Sequence, residues 1–286
     1  MMMSGCHSTS PVVHQRPTIV SLNPCTDAVL AEVAAPGQLL AISHYSKDAR
    51  ASSMEAQAAA RFAATGGTVE EVLALDPDVV VAGSFLAPAT RAALEDLGIR
   101  VVTFGSAATV EESEQQIRDL AALAGDAAAG DALVARIEMA LAKAAPRDGE
   151  NVSAVLWQPG GIVPGEAALV SDLLRRTGFS SHSTARGMAQ ADYLALEEVV
   201  ADPPQLLFIA GSEAGQRHPV LDHIPQMQRA HFDTRLLYCG GPTIIRAAER
   251  LSAIRHKMLP GAGWDPMPQT RRQTERGPSL RWESGR

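Results

Sequence analysis

One stretch of this sequence occurs twice. Val69-Glu70-Glu71-Val72-Leu73-Ala74-Leu75-Asp76-Pro77-Asp78-Val79-Val80-Val81 matches Leu196-Glu197-Glu198-Val199-Val200-Ala201-Asp202-Pro203-Pro204-Gln205-Leu206-Leu207-Phe208 without a gap. Each copy reads as a pair of glutamates opening a short apolar helix, a proline that stops it, and a strand apolar enough to be buried on both faces. Helix–proline–strand joints occur in many α/β proteins, so the match alone leaves open two unrelated units. Self-similarity at this length points instead to two lobes built on one plan.

Between the copies lies Asp126 to Ala145, a run of strong helix formers with Leu133, Ile137, Leu141 and Ala144 on one face. Pro146 ends it, because a proline disfavours helix at the residue before it. Twenty helical residues would span about 30 Å, the width of a small domain. We read this stretch as a helix joining two lobes, with Gly125 and Gly130 as positions that could shorten it.

Strand-like and helix-like runs alternate on both sides of it, the pattern of an α/β chain with mainly parallel sheets. Before the linker, strands are expected at 18–22, 39–43, 78–82 and 100–104. Thr68-Val-Glu-Glu71 and Thr109-Val-Glu-Glu112 are capping boxes that start helices. After it, strands are expected at 153–157, 205–210 and 235–239, and helices from the 158–164 loop to about Thr177, from Pro219 to Arg229, and from Thr243 to Leu259. The expected division is 1–16 without structure, an N-terminal lobe over 17–125, the linker helix over 126–145, a C-terminal lobe over 146–259 and a disordered tail over 260–286.

Composition narrows the function. The 286 residues are 46% hydrophobic and 20% charged, which fits a folded core. A formal charge of −7 argues against a broad nucleic-acid footprint. Val79 to Ala89 is the best apolar run, and Gly83 and Pro88 interrupt it well short of a membrane span. No GlyXSerXGly, GlyXXXXGlyLys, GlyXGlyXXGly or HisGluXXHis motif occurs, so no motif supports an enzyme. His44, His182, His218 and His223 are the candidates if the protein held bare zinc or manganese, and they show no metal-ligand spacing. With Phe 6, Tyr 3 and Trp 3, aromatic positions carry unusual information.

Cys6 follows Met3-Ser4-Gly5, which resembles the end of a bacterial lipoprotein signal. The apolar run that should precede it is missing, so either the start lies upstream, the chain was trimmed, or the match is chance. Cys25 and Cys239 both fall at expected strand exits. A bond between them would restrict any interlobe cleft, and two separate, partly buried thiols are expected.

Taken in order, these segments resemble the helical-backbone class of periplasmic substrate-binding proteins, which serve ABC importers of cobalamin, ferric siderophores and haem. The resemblance rests on Ile19-Val-Ser-Leu-Asn-Pro24, Leu40-Ala-Ile-Ser-His-Tyr-Ser46, Leu75-Asp-Pro-Asp-Val-Val-Val81, the lone long helix, and Gly241-Pro-Thr-Ile-Ile-Arg-Ala-Ala-Glu249, and covers about residues 17–259. It implies an α/β fold of two similar lobes, no catalysis, no cofactor, and a metal chelate held in the cleft between lobes: a corrinoid or ferric siderophore before haem. It also implies a monomer that delivers to an ABC permease and its ATPase from the periplasm, with lipid on Cys6 as a possible anchor.

The loops at the strand ends then become candidate ligand contacts: Asn23, Cys25, Thr26 and Asp27; His44 and Tyr45; Ser84 and Phe85; Trp157 and Gln158; and Gly241. Tyr45 matches a cobalamin-contacting position, Trp157 falls close to an aromatic pocket position, and Tyr193 lies near another. Two pocket tryptophans of the cobalamin protein have no counterpart at Ala64-Thr65-Gly66 or Ala82-Gly83-Ser84. Phe85 and Trp157 could equally pack beneath the loops, and His44 could be a solvated loop residue. Glu70 and Glu197 match the glutamates that dock permease arginines, although a glutamate at a helix start is also favoured by the helix dipole.

Overall fold

The fold is taken from a computed structural model, which describes residues 16–258 apart from Ala49, Ala51, Asp148 and Tyr238. The chain begins with β1 (Ile19–Ser21), α1 (Pro24–Val33), β2 (Leu39–Ser43), α2 (Ala56–Ala60), β3 (Ala63–Thr65), α3 (Val69–Leu75) and β4 (Val79–Gly83). α4 (Pro88–Asp96) and β5 (Arg100–Phe104) complete a five-stranded parallel sheet in the order β3-β2-β1-β4-β5. Two helices follow, α5 (Val110–Leu123) and α6 (Ala127–Ala144). The second half contains β6 (Val152–Trp157), β7 (Ile162–Val163), α7 (Leu169–Arg176), β8 (Phe179–Ser181), α8 (His182–Ala185), β9 (Asp192–Tyr193), α9 (Leu196–Ala201), β10 (Leu206–Ile209), β11 (Gln228–His231) and α10 (Thr243–Met258). Its four-stranded parallel sheet has the order β11-β10-β6-β8, and β7 and β9 pair as an antiparallel ribbon.

The repeated sequence does the same job in each half. Its first copy forms α3 and β4, and β4 lies beside β1, the first strand of its sheet. Its second copy forms α9 and β10, and β10 lies beside β6, the first strand of the other sheet. The helices start where side chains meet free backbone N–H groups. Thr68 Oγ1 accepts from Glu71 N at 3.2 Å, and Thr109 Oγ1 accepts from Glu112 N at 3.1 Å. The Glu112 carboxylate turns back to accept from Ala108 N at 2.7 Å.

Both sheets are covered on both faces, and strand alternation sorts the residues. Ile19, Val79, Val81, Ala154, Leu156, Leu206 and Phe208 face a central layer built by α1, α5, α6 and α10. Their neighbours Val20 and Val80 pack outward with Val72 and Leu94. Val155, Trp157, Leu207 and Ile209 likewise pack outward with Leu194, Val199 and Leu221. α6 is 18 residues, about 27 Å, and buries Leu133, Val134, Ile137, Leu141 and Ala144 in the central layer. It therefore joins the lobes and also belongs to the core that runs through both. Gly130 does not shorten it; a Cβ there would lie 2.5 Å from Ala121 Cβ, so α5 and α6 touch at this point.

The β11 edge of the second sheet departs from expectation. Pro219–His223 is a 3-10 turn rather than the start of a helix, and Gln228–His231 is the strand β11. The run expected as a strand at 235–239 instead starts with a 3-10 turn, Thr234–Leu236, capped where the Asp233 side chain accepts from Arg235 N at 2.9 Å. The open edge of β10 selects the strand here: β11 pairs with it over Leu206–Ile209, and this outweighs local preference. β3 and β8 are edge strands of three residues that the sequence reading passed over. Cys6 and the 259–286 segment lie outside the described residues.

Candidate functional site

Each sheet reverses its strand order once, and loops at such a switch point form a crevice at the carboxyl ends of the strands. In the first sheet the reversal falls between β1 and β4. Asn23 leaves β1 there and caps α1, its Oδ1 accepting from Cys25 N at 2.8 Å. Gly83, at the end of β4, has no side chain because Asn23 fills the space; a Cβ would lie 2.4 Å from Asn23 Nδ2. In the second sheet the reversal falls between β6 and β10, where Gln158 leaves β6.

The two crevices face each other across a cleft of about 340 Å³. Six expected contacts line it: Asn23, Cys25, Thr26, Ser84, Phe85 and Gln158. The sequence reading missed several others. Phe104 to Ala107 line it as the exit of β5, a strand exit like those chosen. Ala167 to Val170 open α7 onto it, and Gln116 and Gln190 reach it from α5 and from the loop before β9. Gln116 Nε2 donates to Gly105 O at 3.0 Å, which ties α5 to the lip. Gly165 lets the 189–190 backbone come within 2.4 Å of where its Cβ would be, which brings Gln190 into place.

The remaining expected contacts lie elsewhere. Asp27 is fully buried behind the lining, its Oδ2 accepting from Ser43 N at 2.9 Å and Ser46 Oγ at 2.6 Å. Trp157 is also buried: alternation along β6 turns it to the outer face, and its Nε1 donates to Leu194 O at 2.9 Å. Gly241 lies just outside the lining, where a φ of 60° turns the chain into α10 and its N–H donates to Ser113 Oγ at 2.8 Å. His44 and Tyr45 stack on each other, ring centroids 4.0 Å apart, on the exposed turn after β2. Tyr193 is exposed on the β7–β9 ribbon opposite Ile162. Phe85 is 94% exposed at the lip, which excludes packing beneath the loops.

One expectation is overturned. Cys25 and Cys239 form a disulfide, with S–S 2.15 Å and Cα atoms 5.1 Å apart, inside the cleft lining. The 3-10 turn that replaces the expected strand carries the chain back across to α1, which places Cys239 against Cys25. Other ties cross the same seam. Val110 N donates to Asp172 Oδ2 at 3.0 Å, Ser53 Oγ donates to Arg235 O at 2.7 Å, and Arg246 pairs with Glu55.

Among the described residues no three His, Cys, Asp or Glu side chains converge on a metal position. His182 lies 3.4 Å from Asp202, His218 Nδ1 accepts from Val220 N, and His223 Nδ1 contacts Pro219 O. No described helix is long and apolar enough to cross a membrane.

A family model described as periplasmic binding protein matches residues 19–230. The chain belongs to the periplasmic binding protein family. No curated protein matches it in sequence. Solved structures share its fold. The periplasmic haem-binding protein of Vibrio cholerae aligns at TM-score 0.68 and 14% identity, over 84% of this chain and 98% of that one. The periplasmic vitamin B12-binding protein of Vibrio cholerae aligns at 0.63 and 17%, over 82% and 95%. The periplasmic haem-binding protein of Roseiflexus sp. RS-1 aligns at 0.64 and 18%, over 84% and 97%. The two lobes, parallel sheets and connecting helix place the chain in the helical-backbone class of the family, whose members bind rather than catalyse.

Proposed function

We propose that this protein captures a metal chelate in its interlobe cleft and delivers it to the permease of an ABC importer. The observation that carries this reading is a single cleft lined from both lobes at both switch points, on a chain of this family. Solved relatives of the same fold are named for haem and vitamin B12. The ligands we favour are a corrinoid or a ferric siderophore before haem. Work in the periplasm follows from the family, with lipid on Cys6 as the anchor if a signal precedes Met1. The working domains are 17–125 and 146–259, with 126–145 between them. The bare-metal alternative loses support because His44, His182, His218 and His223 are dispersed.

The docking role of Glu70 and Glu197 has geometric support. α3 and α9 each run back towards the start of the next parallel strand, so both helix N-termini lie at the cleft edge of their sheets. The second glutamate of each pair turns inward: Glu71 accepts from Thr65 Oγ1 at 3.0 Å, and Glu198 accepts from Ala195 N at 2.9 Å. Glu70 and Glu197 stay exposed, with no hydrogen bond or ion pair among the described residues. Changing both to alanine should abolish uptake while leaving ligand affinity intact. Full transport by the double variant would refute the role.

Thermal denaturation with cobalamin, cobinamide, haem, a ferric hydroxamate and Zn²⁺ tests the function. A bound chelate raises Tm by mass action, by about 2.7 kcal/mol of stability at a hundredfold excess over Kd. A Tm unmoved by every chelate, or raised by Zn²⁺ alone, overturns the reading.

A further inference from the structure

The cleft lining has a chemical character that the fold alone does not require. Among the described residues it contains no Asp, Glu, Lys, Arg or His. Its side-chain polar groups are the carboxamides of Asn23, Gln116, Gln158 and Gln190 and the hydroxyls of Thr26, Ser84 and Ser106. A carboxamide both donates and accepts, so four of them suit a ligand that does the same. They offer no countercharge to an anion, and an unpaired carboxylate taken out of water is strongly disfavoured.

Helix N-termini could supply the missing positive charge, and two of them open onto this cleft: Cys25 and Thr26 from α1, Leu169 and Val170 from α7. Each is opposed from within. The fourth residue of α1 is Asp27 and the fourth residue of α7 is Asp172, both buried in the first turn. An ionised carboxylate there offsets the positive end of the helix dipole, which Asp27 does only above about pH 7, where it loses its proton. The cations on α7 are also committed: Arg175 pairs with Glu166 and Asp172, and Arg176 with Glu111 and Asp172. The wall built on α7 therefore discourages an anion, and the wall built on α1 does so once Asp27 is ionised.

We propose that the cleft selects chelates without net negative charge, bearing carboxamide or hydroxamate groups on their periphery, and rejects those bearing carboxylates or catecholates. This rests on the chelate-binding reading and narrows it. Ferric trishydroxamates and corrinoids share the favoured chemistry; haem, with two carboxylates, and the trianionic ferric tris-catecholates do not.

Isothermal titration of the full chain provides the test, using sets matched in shape. One set is neutral cyanocobalamin with its mono- and tricarboxylic acids, in which side-chain amides have been hydrolysed. The other is a neutral ferric trishydroxamate and a ferric tris-catecholate. The neutral member of one set should bind, which identifies the source, and each added carboxylate should weaken binding about tenfold or more. Gln158→Lys should narrow that gap by supplying a cation. An anionic member bound as tightly as its neutral partner overturns the charge selection and leaves the chelate-binding reading standing. Binding of haem but of none of the five overturns the charge selection alone, and no binding by any of the five or by haem overturns both.

Discussion

Asp27 shows how much a single buried group can set. It is inside α1, behind the cleft lining, and one of its oxygens, Oδ1, has no hydrogen-bond partner. Burial pushes its carboxyl up to about 7, against hydrogen bonds from Ser21, Ser46 and Ser43 that pull it down. In the unfolded chain it ionises near 3.8. Between those values the folded protein holds a proton that the unfolded chain has released, so this residue's contribution falls as pH rises through that window. Asp27→Asn keeps an oxygen for Ser43 N and Ser46 Oγ and cannot ionise. The Tm of the variant should therefore fall less than that of the parent between about pH 4 and about pH 7.5. Parallel profiles would show that the carboxylate is accommodated as an anion. Its burial was not readable from the sequence, because the Ser43 and Ser46 contacts join α1 to a separate turn.

Among the elements, α6 is the one the sequence describes best, because its signals are local: Asp126 caps it, helix formers fill it and Pro146 stops it. Its role needed the structure. At Gly130 it meets α5 too closely for a side chain. Alanine normally favours a helix over glycine by about 1 kcal/mol. Here Gly130→Ala should instead cost about 1–3 kcal/mol in denaturant unfolding through overpacking against Ala121. Ala121→Gly in the same chain should restore part of the loss; a stabilised single variant would show that the helices can move apart. The elements that the sequence misplaced share a cause. β11 and the 234–236 turn are fixed by an open sheet edge and by Cys25, partners distant in the chain. Trp157 offers the opposite lesson: its outward orientation follows from alternation along β6, so the sequence contained the answer. Phe104 to Ala107 were likewise visible as a strand exit, whereas no local signal brings Gln116 on α5 to the cleft.

Over the whole molecule, the seam between lobes is tied at several points. One core passes through both lobes around α6, and the Cys25–Cys239 bond, Val110 to Asp172, Ser113 to Gly241 and Ser53 to Arg235 cross it. Such a frame should bind ligand without large closure. X-ray scattering curves with and without the bound chelate should superimpose; marked compaction would show that the seam is a hinge. Replacing both cysteines by serine removes a constraint on the unfolded chain and should lower stability by about 2–4 kcal/mol. The pair of cysteines itself was legible, but their bonding was not, since expected strand exits in different lobes say nothing about distance.

The two cysteines are also separated in time. Their sequence separation is 214, so Cys25 is made long before its partner exists. If Cys6 carries no lipid, its thiol is available far sooner and, in a loose chain, closes a much shorter loop at lower entropic cost. Such a chain must keep Cys25 reduced, or undo an early wrong bond, until β11 and the turn beyond it have been laid down. A part of the chain made late thus completes the cleft lining that an early part begins.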